Sequence, residues 1–449
     1  MIPDITAQVA RFVADFRWAE LPEAVRREAK RSLVNYFAVA LGGCHEPPVE
    51  KALATMRAFT GPATASIVGR ADRTDLLNAA FVNAMSANVF DFDDTHPATI
   101  IHPTAPVAPA LFALAETQAL SGEDLLLAFV LGAELECRIG NAVSPGHYRR
   151  GWHITSTCGV FGAALAVGKA CGLDAQALGW TIGNASVQAC GLVEGLGTMS
   201  KSISVGNSAR NGALAALLAR EGFSGPEHPL EGNYGFLRVT SEAPDFDAIT
   251  GELGTRWELL ANTYKPYPVG VVLNPVLEAC LALQREGRID LARIERIEIT
   301  GHPLLRERTD RPDVMTGRQS QVSAQHAVGV ALLRGSAGID EFSDAAVADP
   351  AIRALGRKVA FVDDDRFAVD AARITITQAG GVVIGHEVEH AYAGAMRPMT
   401  DADLAIKLES QMKRSGAARS PGALIDALDR LEQLADAGSV MRLAVALTS

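Results

Sequence analysis

Several common sequence signals are absent from this chain. Its 449 residues contain no run of lysine and arginine, and the net charge is −11, which argues against a nucleic-acid partner. No uncharged apolar stretch reaches the roughly 20 residues that span a bilayer. Aromatic residues make up only 6% of the chain, whereas alanine is abundant, a composition that suits closely packed helices. An anionic substrate could still bind if its pocket supplied the cations.

Cysteine usage and the start of the chain bear on the cellular compartment. The six cysteines are widely spaced and form no Cys-x-x-Cys motif. Most lie in apolar helical context, so we expect reduced core residues rather than disulfides. The first four residues show no charged region followed by an apolar core, as a signal peptide would. These features predict a cytoplasmic protein with no membrane partner.

The most informative stretch is a dense polar segment at residues 91–103, DFDDTHPATIIHP. Three carboxylates, two hydroxyls and two imidazoles fall within thirteen residues, between apolar helix-forming runs at 76–90 and 106–116. Burying such groups without partners would cost several kcal/mol each. A turn between two helices could instead present them to a pocket as acid–base groups. The alternative is a solvated loop whose aspartates cap the next helix.

Helical periodicity dominates the first 265 residues. Apolar residues recur at helical spacing in five segments: 22–42, 123–143, 155–172, 174–189 and 211–221. Period-two alternation is nearly absent from this part of the chain. The first part is therefore predicted to be an all-α domain.

The pattern changes after Pro275. Three segments alternate with period two: 296–300, 372–377 and 382–392. Gly380-Gly381 separates the last two and predicts a β-hairpin. Helices are predicted between the first strand and the hairpin, at 323–333 and 349–358. Thr400 and Asp403 form a capping-box pattern that reopens a helix to about residue 415. The expected fold class is mainly α, with a large all-helical domain plus a smaller α+β domain.

An H-E-x-x-H motif lies at residues 386–390. As a zinc site it requires a helix, where residues four apart share one face. Here it falls in the second arm of the predicted hairpin, and residues four apart in a strand are about 13 Å apart. A half-exposed strand is therefore the favoured interpretation, and no metal site is predicted.

A glycine- and serine-rich segment at 197–212, GTMSKSISVGNSARNG, carries Lys201 and Arg210. We predict a loop holding Lys201 that runs into a helix whose first turn holds Arg210. Free backbone N–H groups there, with two cations nearby, would bind a carboxylate. The alternative is an ordinary capped helix with solvated side chains.

Two further segments each present a single ionisable side chain. The sequence GWHITST places His153 just before a helix start, where a lone histidine is more often structural. The sequence YKPYP at 264–268 is rigid and extended and presents Lys265 near the change of pattern. A pocket between domains and a plain linker are both compatible with it.

Taken in order, these segments resemble the MmgE/PrpD family over nearly the whole chain. The resemblance rests on D-F-D-D-T…H-P, G-W-H-x-T-S-T, G-T-M-x-K…G-x-x-A-R-x-G, K-P-Y-P and R-P-M-T-D-A-D-L-A-I-K-L. It implies an all-α helical domain formed by residues 1–268 and 396–449, and an α+β lid domain formed by residues 269–395. It also implies a homodimer and no metal or organic cofactor. The family includes 2-methylcitrate dehydratase, cis-aconitate decarboxylase and iminodisuccinate epimerase.

The resemblance also implies a set of site residues. The implied catalytic residues are Asp91, His102, His153, Lys201 and Lys265. The predicted substrate-binding residues are Thr95, which the resemblance implies, together with Asp94, Arg210 and Tyr264. In this hypothesis the lysines and Arg210 hold substrate carboxylates, the two histidines carry protons and Asp91 orients or tunes one imidazole. Asp93 could equally serve as an orienting carboxylate.

The substrate is less well indicated than the family. After K-P-Y-P the family often has a cysteine and later a histidine, where this chain has Val269 and Asn274. Asp93 and the short gap before His102-Pro103 are nearer the decarboxylase and epimerase pattern. The expected function is a lyase for a small di- or tricarboxylate, with 2-methylcitrate-type dehydration slightly favoured over cis-aconitate-type decarboxylation. The alternatives are an isomerase that epimerises an amino-dicarboxylate such as iminodisuccinate, and a non-catalytic carboxylate-binding protein.

Overall fold

The computed structural model describes residues 4–417 and 419–446. The chain is 57% helical and 9% strand, which confirms the predicted fold class, mainly α with a smaller α+β part. Residues 1–3, on which part of the signal-peptide argument rests, lie outside the described residues. No helix within the described ranges is both long enough and apolar enough to cross a membrane.

The chain forms two units. Unit 1 contains the residues up to Val89, Asp93–Asn262 and the residues from Thr400 onward, and unit 2 contains Phe90–Phe92 and Thr263–Met399. Whether the predicted segments 1–268 with 396–449 and 269–395 fold as separate domains stays a prediction.

Within the described residues, unit 1 is built from helices and three two-residue strands. Its helices are α1 (Ile5–Asp15), α2 (Glu23–Gly43), α3 (Pro47–Met56), α4 (Leu76–Asn88), α5 (Thr104–Ala115), α6 (Gly122–Val143), α7 (Gly146–Arg149), α8 (Ile154–Ala170), α9 (Ala175–Ser186), α10 (Ser200–Arg220), α11 (Phe236–Thr240), α12 (Asp247–Thr250), α19 (Asp401–Ser415) and α20 (Pro421–Asp429). Its strands are β1 (Ala65–Ser66), β2 (Arg73–Thr74) and β3 (Asp94–Thr95). Helix α8 is central: its sequence is apolar or small all round, and every residue from Ile154 to Gly168 is buried.

Unit 2 packs helices on a four-stranded sheet. Its helices are α13 (Asn274–Arg285), α14 (Pro303–Thr309), α15 (Gly317–Ser320), α16 (Ala324–Arg334), α17 (Asp344–Ala348) and α18 (Pro350–Gly356). Its strands are β4 (Thr263–Tyr264), β5 (Ile294–Gly301), β6 (Val359–Asp363), β7 (Ala372–Gln378) and β8 (Val382–Val388). The sheet order is β6-β5-β7-β8, with β5 and β6 parallel and the other pairs antiparallel.

The hairpin and the late helix agree with their sequence predictions. Strands β7 and β8 pair antiparallel, with Gln378 opposite Val382, and both glycines of the Gly380-Gly381 turn have positive φ. Thr400 and Asp403 form the reciprocal capping box at the start of α19. Strand β6 was not predicted, because its five residues are too short to show a convincing alternation.

The predicted start of α10 at residue 211 is wrong, since the helix begins at Ser200. Its first half is rich in serine and glycine, which are weak helix formers in isolation. Tertiary packing overrides this preference. A side chain at Gly206 would collide with Phe81 and Met85, so the small residue lets α10 approach α4 closely.

Replacing Gly212 by alanine is expected to lower the free energy of unfolding by about 2 kcal/mol. A Cβ at this position would lie 2.6 Å from the Cβ of Ala163 and 2.7 Å from the carbonyl oxygen of Val160. Backbone cannot give way as a flexible side chain can. Urea unfolding of both proteins would measure the difference.

Gly179 in α9 offers the matched control. Apart from its own helix, no heavy atom of the described chain lies within 4 Å of the position that a Cβ would take there. Gly179→Ala should therefore stabilise the protein by up to about 1 kcal/mol, the ordinary helix preference for alanine. Equal effects of the two substitutions would contradict close packing at Gly212.

Candidate active site

The polar segment folds back on itself within unit 1. The backbone N–H of His96 donates to the carbonyl oxygen of Ile101 at 2.8 Å. Ile100 at the tip has φ +58°, a left-handed conformation that costs a β-branched residue about 1–2 kcal/mol. Tertiary contacts must maintain this turn, and they are supplied largely by its polar side chains.

One imidazole of the segment, that of His102, is held through its Nδ1 atom. Nδ1 lies 2.7 Å from the carbonyl oxygen of Asp94 and 3.3 Å from Oδ1 of Asp93. A carbonyl oxygen can only accept, so Nδ1 carries a proton. In the neutral ring the lone pair is then on Nε2, which is the atom able to take up a proton.

Asp94 anchors this turn from inside. Its side chain is completely buried, and Oδ2 accepts hydrogen bonds from the hydroxyl of Thr104 and, at 2.7 Å, from the amide of Asn262. Burial, opposed by these hydrogen bonds and reinforced by the nearby Asp93 charge, raises the pKa of Asp94 to about 6. Asp94 therefore supports the backbone carbonyl that orients His102, a position suited to support more than to substrate contact.

His153 lies at the N-cap of α8 and is held in the same way. Its Nδ1 is 3.0 Å from the hydroxyl of Ser156 and 3.3 Å from that of Ser204. Each hydroxyl donates its single proton to a backbone carbonyl, Ser156 to His153 and Ser204 to Lys201. With the hydroxyl protons in these positions, both oxygens accept from Nδ1, and this arrangement leaves the lone pair on Nε2.

The first turns of α8 and α10 bring three of the expected residues together. The hydroxyl of Thr155, two residues after His153, accepts the backbone N–H of His102 at 3.2 Å. Lys201 lies in the first turn of α10, only 7% exposed, and Ser204 on the next turn contacts His153. The backbone segments that carry His102, His153 and Lys201 therefore adjoin one another at one corner of unit 1. Thr95, 5% exposed, lies at the same turn, 3.4 Å from Nδ1 of His102.

The sequence analysis predicted Arg210 at a helix start, and this prediction is wrong. It lies nine residues after Lys201 on one continuous helix, which is roughly 13 Å along the axis. Its guanidinium donates to the side chains of Asn207 and Asn211 and lies 5.1 Å above the ring of Phe81. The prediction failed because the helix begins eleven residues earlier than periodicity indicated.

Unit 2 holds its own pair of expected residues. The ammonium of Lys265 forms an ion pair with the carboxylate of Asp91 and donates to its carbonyl oxygen at 2.8 Å. Lys265 is 4% exposed and the adjacent Tyr264 is also buried. Asp91 has φ +54°, and the amide of Gln321 donates to the preceding carbonyl of Phe90 at 2.8 Å. These contacts fix the short segment that carries Asp91.

Two other sequence expectations fall in unit 2. The H-E-x-x-H motif lies on strand β8 and just beyond it, as predicted, with His386 near Glu286 and His390 near Asp370. Val269, which replaces the frequent family cysteine, is fully buried in the apolar core. Its size and polarity are therefore set by packing.

Sequence reasoning missed several residues that orient the site. Asn262, Thr104 and Ser204 have no local signature, because each becomes relevant only through a partner distant in the chain. His96 was part of the recognised segment, yet both ring nitrogens point to structural partners, Thr99 and Glu258. Glu134 in turn fixes the backbone of Glu258, because its carboxylate accepts the Glu258 N–H at 2.7 Å.

A buried histidine beside this corner should make stability depend on pH. His147 is 0% exposed, its Nε2 is 2.7 Å from the hydroxyl of Thr157, and burial lowers its pKa from 6.5 to about 4. Between these values the unfolded chain binds a proton that the native state does not. The stabilisation that comes from keeping His147 neutral is therefore complete above pH 6.5. The free energy of unfolding should fall by about 3 kcal/mol as the pH drops toward 4.

The His147→Gln variant provides the comparison, because glutamine does not titrate. Urea unfolding across this pH range should show wild type losing stability on acidification relative to the variant. A constant difference between the two proteins would show that His147 titrates normally.

The fold and these contacts define a class of protein. It has a mainly helical unit with two Nδ1-protonated imidazoles and a buried lysine, and a second unit with a four-stranded sheet. The chain belongs to the MmgE/PrpD family: the MmgE/PrpD N-terminal domain matches residues 7–249 and the MmgE/PrpD C-terminal domain matches residues 267–432.

Curated relatives match this chain over most of their length. Cis-aconitate decarboxylase of Aspergillus terreus is 27% identical, covering 96% of this chain and 94% of that protein. Cis-aconitate decarboxylase of Mus musculus is 25% identical, covering 99% of this chain and 94% of that protein. Cis-aconitate decarboxylase of Homo sapiens is 25% identical, covering 97% of this chain and 93% of that protein.

Proposed function

We propose that this protein is a carboxy-lyase that removes one carboxylate group from a small tricarboxylate of the cis-aconitate type, without a cofactor. The observation that carries the proposal is a pair of contacts, from the His102 N–H to Thr155 and between Ser204 and His153, which link the segments that carry His102, His153 and Lys201 at one corner of unit 1. The names of the relatives support decarboxylation. They favour a carboxy-lyase over the hydro-lyase that the sequence analysis slightly preferred.

The charges of this corner suit such a substrate. A tricarboxylate brings up to three negative charges into a protein whose net charge is −11, so the site itself must supply cations. Lys201 is almost fully buried, and an ammonium group in a low-dielectric site attracts a carboxylate more strongly than one in water. Lys265 and Arg210 stay predicted carboxylate ligands. The other predicted residues of the site stay predictions as well: Asp91, Asp94, Thr95 and Tyr264.

The chemistry needs electron-pair stabilisation and one proton. When the bond to the departing carboxylate breaks, its electron pair remains on carbon and spreads onto a neighbouring carboxylate. A lysine beside that carboxylate stabilises the resulting dianion-like charge. An imidazolium, His102 or His153, then protonates carbon through Nε2. Carbon dioxide leaves, one proton is consumed, and the imidazole regains its proton from water.

Proton NMR in deuterium oxide with four candidate substrates tests the proposal. The panel is cis-aconitate, citrate, 2-methylcitrate and iminodisuccinate. We expect cis-aconitate to be converted to a dicarboxylate that carries deuterium from solvent, with release of carbon dioxide. Lys201→Met should lower this conversion by roughly a thousandfold while preserving the fold.

Other outcomes would replace the proposal by a specific alternative. New vinyl signals from 2-methylcitrate or citrate, without carbon dioxide, would make the protein a hydro-lyase. Exchange of the α-proton of iminodisuccinate alone would make it an isomerase. Tight binding of a carboxylate without turnover would favour a binding protein. The homodimer stays a prediction, and light scattering at micromolar concentration would test it.

A further inference from the structure

A cavity of about 190 Å³ lies within unit 2. It is lined by the loop at residues 312–315, the first turn of α16, and helices α17 and α18. None of its lining residues belongs to the predicted site, and none takes part in the proposed mechanism. Small-molecule sites are concave and mostly apolar, with a few well-placed polar groups. The side chains of the lining therefore decide what this cavity can hold.

Much of the wall is apolar. Val347 and Ile352 line the cavity and are almost fully buried. Val314 and Met315 line it from the loop, and Met315 is 70% exposed. The flexible thioether side chain of a methionine adapts to irregular apolar surfaces. Such a wall suits a ligand with an apolar body.

Two arginines give the cavity a positive charge. Arg353 and Arg357 both line it and lie four residues apart, in α18 and at its C-cap, so they share one helix face. The Nε atom of Arg353 donates to the carbonyl oxygen of Val347 at 2.7 Å, which helps to fix its guanidinium. Within the part of the chain that the structure describes, neither guanidinium has an ion-pair partner. Asp313 is the only acid among the described lining residues, so positive charge prevails.

His326 adds a neutral polar group to the lining. Its side chain is buried, and Nε2 lies 2.8 Å from the carbonyl oxygen of Glu341, so this nitrogen carries the ring proton. Burial lowers the pKa of His326 below its usual value. The imidazole is therefore neutral at neutral pH, and the two arginines supply the cations of the cavity.

The volume of the cavity limits the size of a ligand. An engineered apolar cavity of about 150 Å³ in another protein holds benzene, whereas drug-sized ligands need roughly 300 Å³ or more. A cavity of about 190 Å³ therefore suits a compact molecule with a chain of about six carbon atoms. The net charge of the whole chain is −11, so an anion needs a local concentration of cations to bind.

We propose that this cavity binds a small organic carboxylate whose charged group pairs with Arg353 and Arg357. The short apolar chain of the ligand lies against Val314, Val347 and Ile352. Arginine suits this role because its planar N–H groups match the two oxygens of a carboxylate. Such binding is independent of the proposed lyase activity, because no residue of the cavity takes part in that chemistry.

Titration calorimetry of the full-length protein with hexanoate measures this binding. Hexanamide has the same chain without the charge, and inorganic phosphate has charge without a chain. Each should bind at least about tenfold more weakly than hexanoate. Hexanamide that binds as tightly would remove the role of the arginines, and phosphate that binds as tightly would remove the role of the apolar wall. Absence of hexanoate binding at millimolar concentration would overturn the site.

Substitutions test which residues bind hexanoate. The double variant Arg353→Gln with Arg357→Gln should weaken binding by at least about tenfold. Val314→Phe keeps both arginines but fills the cavity from the loop, and should also weaken binding. Arg285→Gln is the matched control, because Arg285 is an exposed arginine of unit 2 whose Nε likewise donates to a backbone carbonyl, that of Leu281. Equal affinity in the double variant and wild type, or an equal loss in Arg285→Gln, would overturn the proposal.

Methyl NMR of protein labelled with carbon-13 at methionine shows where hexanoate binds. Met315→Leu identifies the signal of Met315, which should move on binding in wild type and stay in place in the double arginine variant. The signal of Met85, buried in unit 1, should be unchanged and reports that each variant is folded. A Met315 signal that does not respond to bound hexanoate would overturn the proposal. If wild type binds hexanoate in this way but converts no tricarboxylate, the proposed function alone fails.

Discussion

The His102→Asn variant is expected to keep its fold and lose about a thousandfold in kcat, the usual contribution of a general acid or base. The asparagine amide can replace the Nδ1 donor that His102 presents to the carbonyl oxygen of Asp94 at 2.7 Å. It has nothing in place of Nε2. The substitution therefore removes the proton carrier and preserves the orienting hydrogen bond, and steady-state kinetics with cis-aconitate would measure the loss.

His96 provides a matched control within the same segment. It is as deeply buried as His102, yet its two nitrogens contact Thr99 and Glu258. His96→Asn should lower the free energy of unfolding by about 1–3 kcal/mol, since it leaves buried Glu258 without one partner. Its kcat should change much less than that of His102→Asn. A His102→Asn enzyme with wild-type kcat would rule out proton transfer by this residue.

Lys201→Met is expected to lower kcat/KM by roughly a thousandfold. This is near the upper end of the loss in rate that follows removal of one group that stabilises transition-state charge. The reason is its position: an almost fully buried ammonium in the first turn of α10, next to the serine that holds His153. The neutral methionine has similar length and little effect on packing. If Lys201 stabilises the developing charge, kcat must fall as well as affinity.

Lys169 gives the comparison for losing a half-buried ammonium elsewhere. It donates to the carbonyl oxygens of Ala14 and Phe16 at 3.0 and 2.7 Å, at the other end of α8 from His153. Lys169→Met should lower stability and leave kcat close to wild type. Wild-type kcat/KM in Lys201→Met, or equal activity losses in both variants, would remove Lys201 from the proposed mechanism.

Local patterns predicted much of the fold because their causes are local. The Gly380-Gly381 turn needs positive φ at both positions, which identifies a hairpin without knowledge of the rest of the chain. The Thr400 and Asp403 capping box is likewise a four-residue interaction. Strand β6, a short edge partner of β5, lacks such a marker and was missed.

Helix α10 shows where local reasoning fails. Its serine- and glycine-rich first half has low intrinsic helix preference, and it becomes helical because small residues such as Gly206 allow close packing on α4. This single error moved Arg210 from a helix interior to a helix start. It also hid the fact that Lys201, rather than Arg210, lies in the first turn.

The sequence by itself determined the family, the mainly helical class, and most of the ionisable side chains from which the site is proposed. Only the tertiary structure decided their orientation: which carboxylate lies beside His102, and which polar groups hold the Nδ1 atom of each imidazole. The physical reason is that each of these depends on hydrogen-bond partners from distant parts of the chain, such as Asn262 and Ser204. No periodicity or motif spacing records such pairings.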